Sequence, residues 1–208
     1  MRIILLLLLV ATSGAWAETP KWEQGPHGLM LRQILPSGPE PEDLPEPASA
    51  GARAFTRYCV QCHNLPSPYM HTAQRWEGVV ERMVRRMRGE GNLGKTMKEL
   101  MEGVEAPSQQ ELDTLLAYLN QYGQKTIDPA RYPDLKNSAA GRRFREACTQ
   151  CHELPDPKRH TVQEWPRVVE RMQRNMTWVG VIKGKSRNPA ELKVEDIVEF
   201  LQRHARAN

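Results

Sequence analysis

Beyond residue 50, apolar residues recur three and four positions apart. Ala52, Phe55 and Tyr58 form one such group, Trp76, Val79, Val80, Met83 and Met87 a second, and Leu112, Leu115, Leu116 and Leu119 a third. The pattern then returns: Ala140, Phe144 and Ala147; Trp165, Val168, Val169, Met172 and Met176; Val194, Ile197, Val198 and Leu201. This spacing turns one stripe of a helix toward something buried. No stretch alternates as a half-buried strand would, so the chain is predicted to be all-α. Thr72, Thr161 and Ser108 stand where helix N-caps are expected.

The return of the pattern is an internal repeat. Phe55 to Met87 aligns with Phe144 to Met176 at a constant offset of 89 without a gap, and 19 of the 33 positions are identical. Each copy carries a Pro-broken turn before its tryptophan, Leu65-Pro66-Ser67-Pro68 and Leu154-Pro155-Asp156-Pro157. The expectation is two tandem domains from a duplication, 51–123 and 140–208, joined by a linker over 124–139 that contains Pro129, Pro133 and Asn137.

The N-terminal pattern differs. Met1-Arg2, the apolar run Ile3 to Val10 and the small-x-small tripeptide Ala15-Trp16-Ala17 predict a secretory signal peptide over 1–17. Its apolar run falls short of the roughly 20 residues that span a bilayer. The mature chain is therefore expected in the periplasm of a two-membrane bacterium, with no transmembrane segment. Residues 18–50, with prolines at 20, 26, 36, 39, 41, 45 and 47, predict an extended arm lying on the surface or moving freely.

Composition narrows the picture. Lys+Arg 29 against Asp+Glu 25 gives a formal charge of +4, and losing Arg2 with the signal peptide leaves +3. So mild a balance does not argue for nucleic-acid binding. Hydrophobic residues at 39% and aromatics at 6% are thin for one core of 208 residues, which favours two small domains.

All four cysteines fall in two short motifs, Cys59-Val60-Gln61-Cys62-His63 and Cys148-Thr149-Gln150-Cys151-His152. C-x-x-C-H is the attachment signal for c-type haem. Two thiols three apart on a helical turn can each add to one porphyrin vinyl group, and the next residue brings its imidazole under the iron. A redox dithiol and half of a zinc site are the competing readings. The first lacks a βαβ pattern around it, and no C-x-x-C pair lies at zinc-ribbon spacing. Two covalently bound haems c are expected, with His63 and His152 as proximal ligands. Their large apolar surface would also offset the thin core.

The opposite ligand must come from residues present in both copies: Met83/Met172, Met87/Met176 or His71/His160. A thioether raises the potential and a second imidazole lowers it. Met83 and Met87 lie on one helix face and cannot both bind one iron. Met83 and Met172 are favoured, with Met87 and Met176 packing beside them. His71 and His160 are read as capping the helix or meeting a propionate. The tryptophan helix is basic in the first copy, with five arginines from Arg75 to Arg88 against Glu77 and Glu81, a net +3; Glu164 to Met176 carries +1. Most of these arginines are read as a solvated face, with Arg82 and Arg171 as candidates for a propionate.

On these motifs the chain resembles the class I-like cytochrome c family in a tandem di-haem version. Gly51-x-x-x-Phe55-x-x-Tyr58-Cys59 and Tyr118-Leu119 are similar to that family's paired terminal helices, which cross beside the haem. Trp76-x-x-Val79-Val80-x-Arg82-Met83 resembles a segment of bacterial haem domains found with periplasmic dehydrogenases, where the position seven after tryptophan is the distal ligand. The resemblance covers residues 51 to 205. Two departures stand out: Ala140 replaces Gly51 in the second copy, and Met97 and Met101, loop candidates in the first copy, have no counterpart after Met176. The resemblance implies a single-electron carrier and not an enzyme. Its partners would be other redox proteins: a dehydrogenase, an oxidase or another cytochrome. A cytochrome subunit of such a complex and a peroxidase-type haem enzyme are the alternatives.

Overall fold

The structure, a computed structural model, describes residues 38–91, 94–182 and 193–207. The predicted signal peptide and the arm up to residue 37 lie outside these residues. Among the described residues there are eight α-helices and no strand, only two isolated β-bridges. The all-α expectation holds.

Helix α1 (Ala50–Cys59) starts where the Ser49 hydroxyl accepts the Ala52 N–H, at 3.1 Å. It buries Ala52, Phe55 and Tyr58, the residues its periodicity predicts. Helix α2 (Ala73–Met87) begins at Thr72, whose hydroxyl accepts the Arg75 N–H. Short α3 (Gly94–Leu100) follows, then α4 (Gln109–Tyr122) behind a capping box in which Ser108 and Glu111 satisfy each other's backbone N–H. Both α1 and α2 pack on α4. Their shared core holds Phe55, Tyr58, Trp76, Val80, Val84, Leu115, Tyr118 and Leu119.

Helix α5 (Asp134–Asn137) leads into α6 (Ala139–Cys148), α7 (Trp165–Ile182) and α8 (Val194–Arg203). Here α6 and α7 pack on α8, around a second core that includes Phe144, Trp165, Val169, Ile197, Phe200 and Leu201. An ion pair between Arg143 and Asp196 at 2.6 Å ties α6 to α8.

Three features depart from the sequence pattern. Thr161 does not open α7 directly: residues 162–164 form a turn and the helix starts at Trp165. Pro166 then sits in the first helical turn, where its missing N–H costs nothing. The second difference is the arm, whose residues 38–49 pack instead of lying free. Leu44 is 4% exposed in the first core, and the Tyr118 hydroxyl donates to the Pro45 carbonyl at 3.0 Å. Third, the segment 124–139 contributes Ile127, Tyr132 and Leu135 to the second core.

Arm and connecting segment also correspond to each other. Ser138 caps α6 as Ser49 caps α1, again 89 residues on. Gly38 lies against the Leu65 carbonyl so closely that a Cβ would collide with it, and 89 residues later the Ile127 N–H donates to the Leu154 carbonyl at 3.0 Å. Each segment upstream of a cysteine helix thus meets the turn that follows that helix's motif.

Candidate functional site

The first thiol of each motif closes a helix: Cys59 ends α1 and Cys148 ends α6, and Cys62 and Cys151 follow in the turn. Burial pushes the Cys59 and Cys148 thiols up to about 12, and Cys62 upward too. A dithiol oxidoreductase needs a thiolate at lowered pKa. These thiols are held protonated instead. Nor do three or more His, Cys, Asp or Glu side chains converge as a metal cage among the described residues.

The motif histidines are held alike. His63 Nδ1 lies 2.8 Å from the Asn64 carbonyl oxygen, and His152 Nδ1 lies 2.8 Å from the Glu153 carbonyl oxygen. A carbonyl only accepts, so Nδ1 carries a proton, and in the neutral ring the lone pair then stands on Nε2. Burial lowers the His63 pKa, which keeps that ring neutral. Gln61 clamps the first motif to the segment before α4, donating to the Glu105 carbonyl at 2.9 Å and accepting the Glu105 N–H at 2.8 Å. In the second motif Gln150 turns back to the Glu146 carbonyl of its own helix.

Each Pro-broken turn is locked by the tryptophan that follows. The Trp76 indole N–H donates to the Pro68 carbonyl at 2.7 Å, and that of Trp165 to the Pro157 carbonyl at 2.8 Å. Both indoles are almost fully buried. His71 and His160 stand edge-on to these rings, with centroids 5.0 and 4.8 Å away. The α2 cap is Thr72, so His71 does not fill that role. His160 Nδ1 lies 3.6 Å from Glu164, whereas Arg75 occupies the matching position in the first copy and His71 Nδ1 is buried without a protein partner. Burial lowers the pKa of both rings.

Met83, Met87, Met172 and Met176 are all half-buried. Met87 packs against the first core; Met83 lies outside that cluster, with an Arg86 guanidinium nitrogen 3.9 Å from its sulfur. Met101 and Met87 line an open groove of about 520 Å³ with Arg88 and Lys98. Arg82 and Arg171 are exposed.

One residue has no signal in the sequence. Gln124, just after α4, is 4% exposed and is the one buried polar side chain among the described residues. Its backbone N–H donates to the His71 carbonyl at 2.9 Å, and its side-chain amide donates to the Glu153 carbonyl at 2.5 Å. Around it Arg75 reaches Glu153 at 3.5 Å, and the Arg159 guanidinium stacks on the Tyr69 ring at 3.6 Å. The turns that follow the two cysteine motifs thus meet each other. A glutamine after Gly123 has no periodicity or motif to mark it, and only the meeting of the turns gives it partners.

No protein-family model matches the chain, and comparison with curated proteins and with solved structures found no similar protein.

Proposed function

We propose that the chain is an exported, periplasmic di-haem c-type cytochrome, built as two tandem class I-like domains by internal duplication, that passes single electrons between redox partner proteins. The observation that carries this reading is the matched hold on the two motif histidines: each commits Nδ1–H to the next carbonyl, so that Nε2 is the ring nitrogen left for a metal. The donor set fits a covalently attached haem. Cys59 with Cys62, and Cys148 with Cys151, supply two thiols per motif one helical turn apart, and His63 and His152 supply one imidazole each.

Haem c in these sites would supply a one-electron ferric/ferrous couple. The chain's own residues hold it and set its potential. His63 and His152 would each hold the iron through Nε2, oriented by the carbonyls of Asn64 and Glu153. Met83 and Met172 would supply the second ligand to each haem, and in the first copy the packing of Met87 into the core supports this choice. The locked Trp76 and Trp165 fix the start of the helices that carry those methionines. A haem held by histidine and methionine from the protein would leave no position for a substrate, which suits electron transfer without substrate chemistry. Among the described residues no helix is long and apolar enough to cross a membrane.

The test is intact-mass measurement of the chain exported from cells with haem-attachment machinery. Two added haems, with peptides locating them on Cys59/Cys62 and Cys148/Cys151, are expected. One haem or none overturns the reading.

A further inference from the structure

We propose that Gln124 is a positioning residue for the second haem site: it shares the carbonyl that holds His152 and thereby sets that site's potential from the junction between the two copies. The inference rests on the haem reading above and goes beyond it by assigning a tuning residue outside both motifs.

Burying an amide costs free energy unless its polar groups are paired. Gln124 is buried, and its NH₂ group must be the side facing Glu153, because a carbonyl oxygen offers no proton. Two donors therefore converge on one oxygen, the Gln124 amide at 2.5 Å and the His152 Nδ1–H at 2.8 Å. The neighbouring backbone fixes this meeting. Ile127 N–H donates to the Leu154 carbonyl at 3.0 Å, Asp156 N–H to the Lys125 carbonyl at 3.3 Å, and Thr126 pairs antiparallel with Pro155. The backbone N–H of Gln124 donates to the His71 carbonyl, in the turn that follows the first motif, while its side-chain oxygen is buried without a protein partner.

The consequence follows from hydrogen-bond competition. A carbonyl already accepting from an amide polarises a second N–H less. His152 then carries less imidazolate character and is a weaker electron donor to a metal at Nε2, which favours the reduced state. The amide of Gln124 holds the second site's potential up, toward that of the first. Since residue 124 begins the segment joining the copies, the tuning exists only while the two turns are docked.

The experiment uses the holoprotein with both haems verified by mass. Gln124→Met keeps the length and removes the donor. The second potential should fall relative to the first by about threefold in the electron-sharing equilibrium, or roughly 30 mV at 59 mV per tenfold for one electron. The Nδ1–H resonance of His152 in the ferrous protein should move downfield, and the His63 signal should stay. Tyr69→Leu removes the ring beneath Arg159 but spares Gln124 and the backbone hydrogen bonds that dock the two turns; it should leave both potentials and both resonances in place. An equal shift in Tyr69→Leu, or no shift in Gln124→Met, overturns the proposal. In the unsubstituted protein, the Gln124 side-chain amide protons should exchange with solvent much more slowly than those of an exposed glutamine. Exchange at the free-amide rate overturns the proposal even if the variant fails to fold. A native chain carrying fewer than two haems fails the haem reading itself, which is a separate outcome.

Discussion

Gly51 on α1 crosses Tyr118 on α4 at backbone distance: a Cβ placed at 51 would stand 2.5 Å from the Tyr118 Cβ and 3.0 Å from its Cγ. This contact lets the Phe55 ring lie 5.9 Å from the Tyr118 ring and draws α4 over the helix that ends in Cys59. In the second copy Ala140 takes the matching place, 8% exposed, and Phe144 stacks on Phe200 at 5.1 Å.

Gly51→Ala should therefore force the first helix pair apart. Overpacking of this kind costs about 1–3 kcal/mol. Ala140→Gly, which adds no atom, should cost only about 0.5–1 kcal/mol through helix propensity. Denaturant unfolding of the two variants measures the difference, and equal losses would mean that the crossing at Gly51 is not tight.

Trp76→Phe and Trp165→Phe each remove an indole N–H from a buried proline carbonyl. The orphaned acceptor should cost about 1–3 kcal/mol at either site. Because the bonds are 2.7 and 2.8 Å and both rings are buried, the two variants should lose similar stability. Thermal melts followed by circular dichroism give the comparison.

Glu111 supplies the acid-sensitive element of α4. Hydrogen bonds from the Ser108 hydroxyl and backbone N–H, assisted by the Tyr58 hydroxyl, pull its pKa from 4.5 to about 2. A lowered carboxylate pKa stabilises the fold fully above the unfolded value and loses that contribution as pH falls from 4.5 through about 2. Glu111→Gln should flatten the stability profile across that window and leave the slope above pH 5 unchanged. Acid titration of the unfolding free energy checks it.

The distal assignment is tested by the far-red thioether-to-iron band of the ferric protein. Met83→Ala and Met172→Ala should each abolish the contribution of one haem. Survival of the band in both, with loss in Met87→Ala or Met176→Ala, shifts the register by one turn. A band missing from the unsubstituted protein makes His71 and His160 the leading ligands.

Redox titration should show two closely spaced one-electron steps. The +3 charge of Arg75–Arg88 against +1 for Glu164–Met176 favours a slightly higher first potential, moderated by screening at exposed arginines. Carbon monoxide, cyanide and peroxide should not bind at neutral pH. Rapid binding at one haem would move the assignment to an enzyme.

The sequence by itself determined the local features. Helical periodicity picked out Ala52, Phe55 and Tyr58 and the closing-helix residues Leu115, Leu119, Ile197 and Leu201, all buried, because a stripe at 3.6-residue spacing has one side to hide. The Ser108 cap was legible, since capping acts within one turn. So were the two cysteine motifs with their histidines, whose chemistry is contained in five consecutive residues. Tertiary structure decided what depends on distant partners. Leu44 and Leu135 sit in proline-rich stretches with no period to mark them, yet each enters a core. Phe200 joins the second core beside Phe144. Gln124 is the clearest case: nothing near it in sequence distinguishes it, and its role arises because the turns after the two motifs come together and leave a buried amide one carbonyl to share with His152.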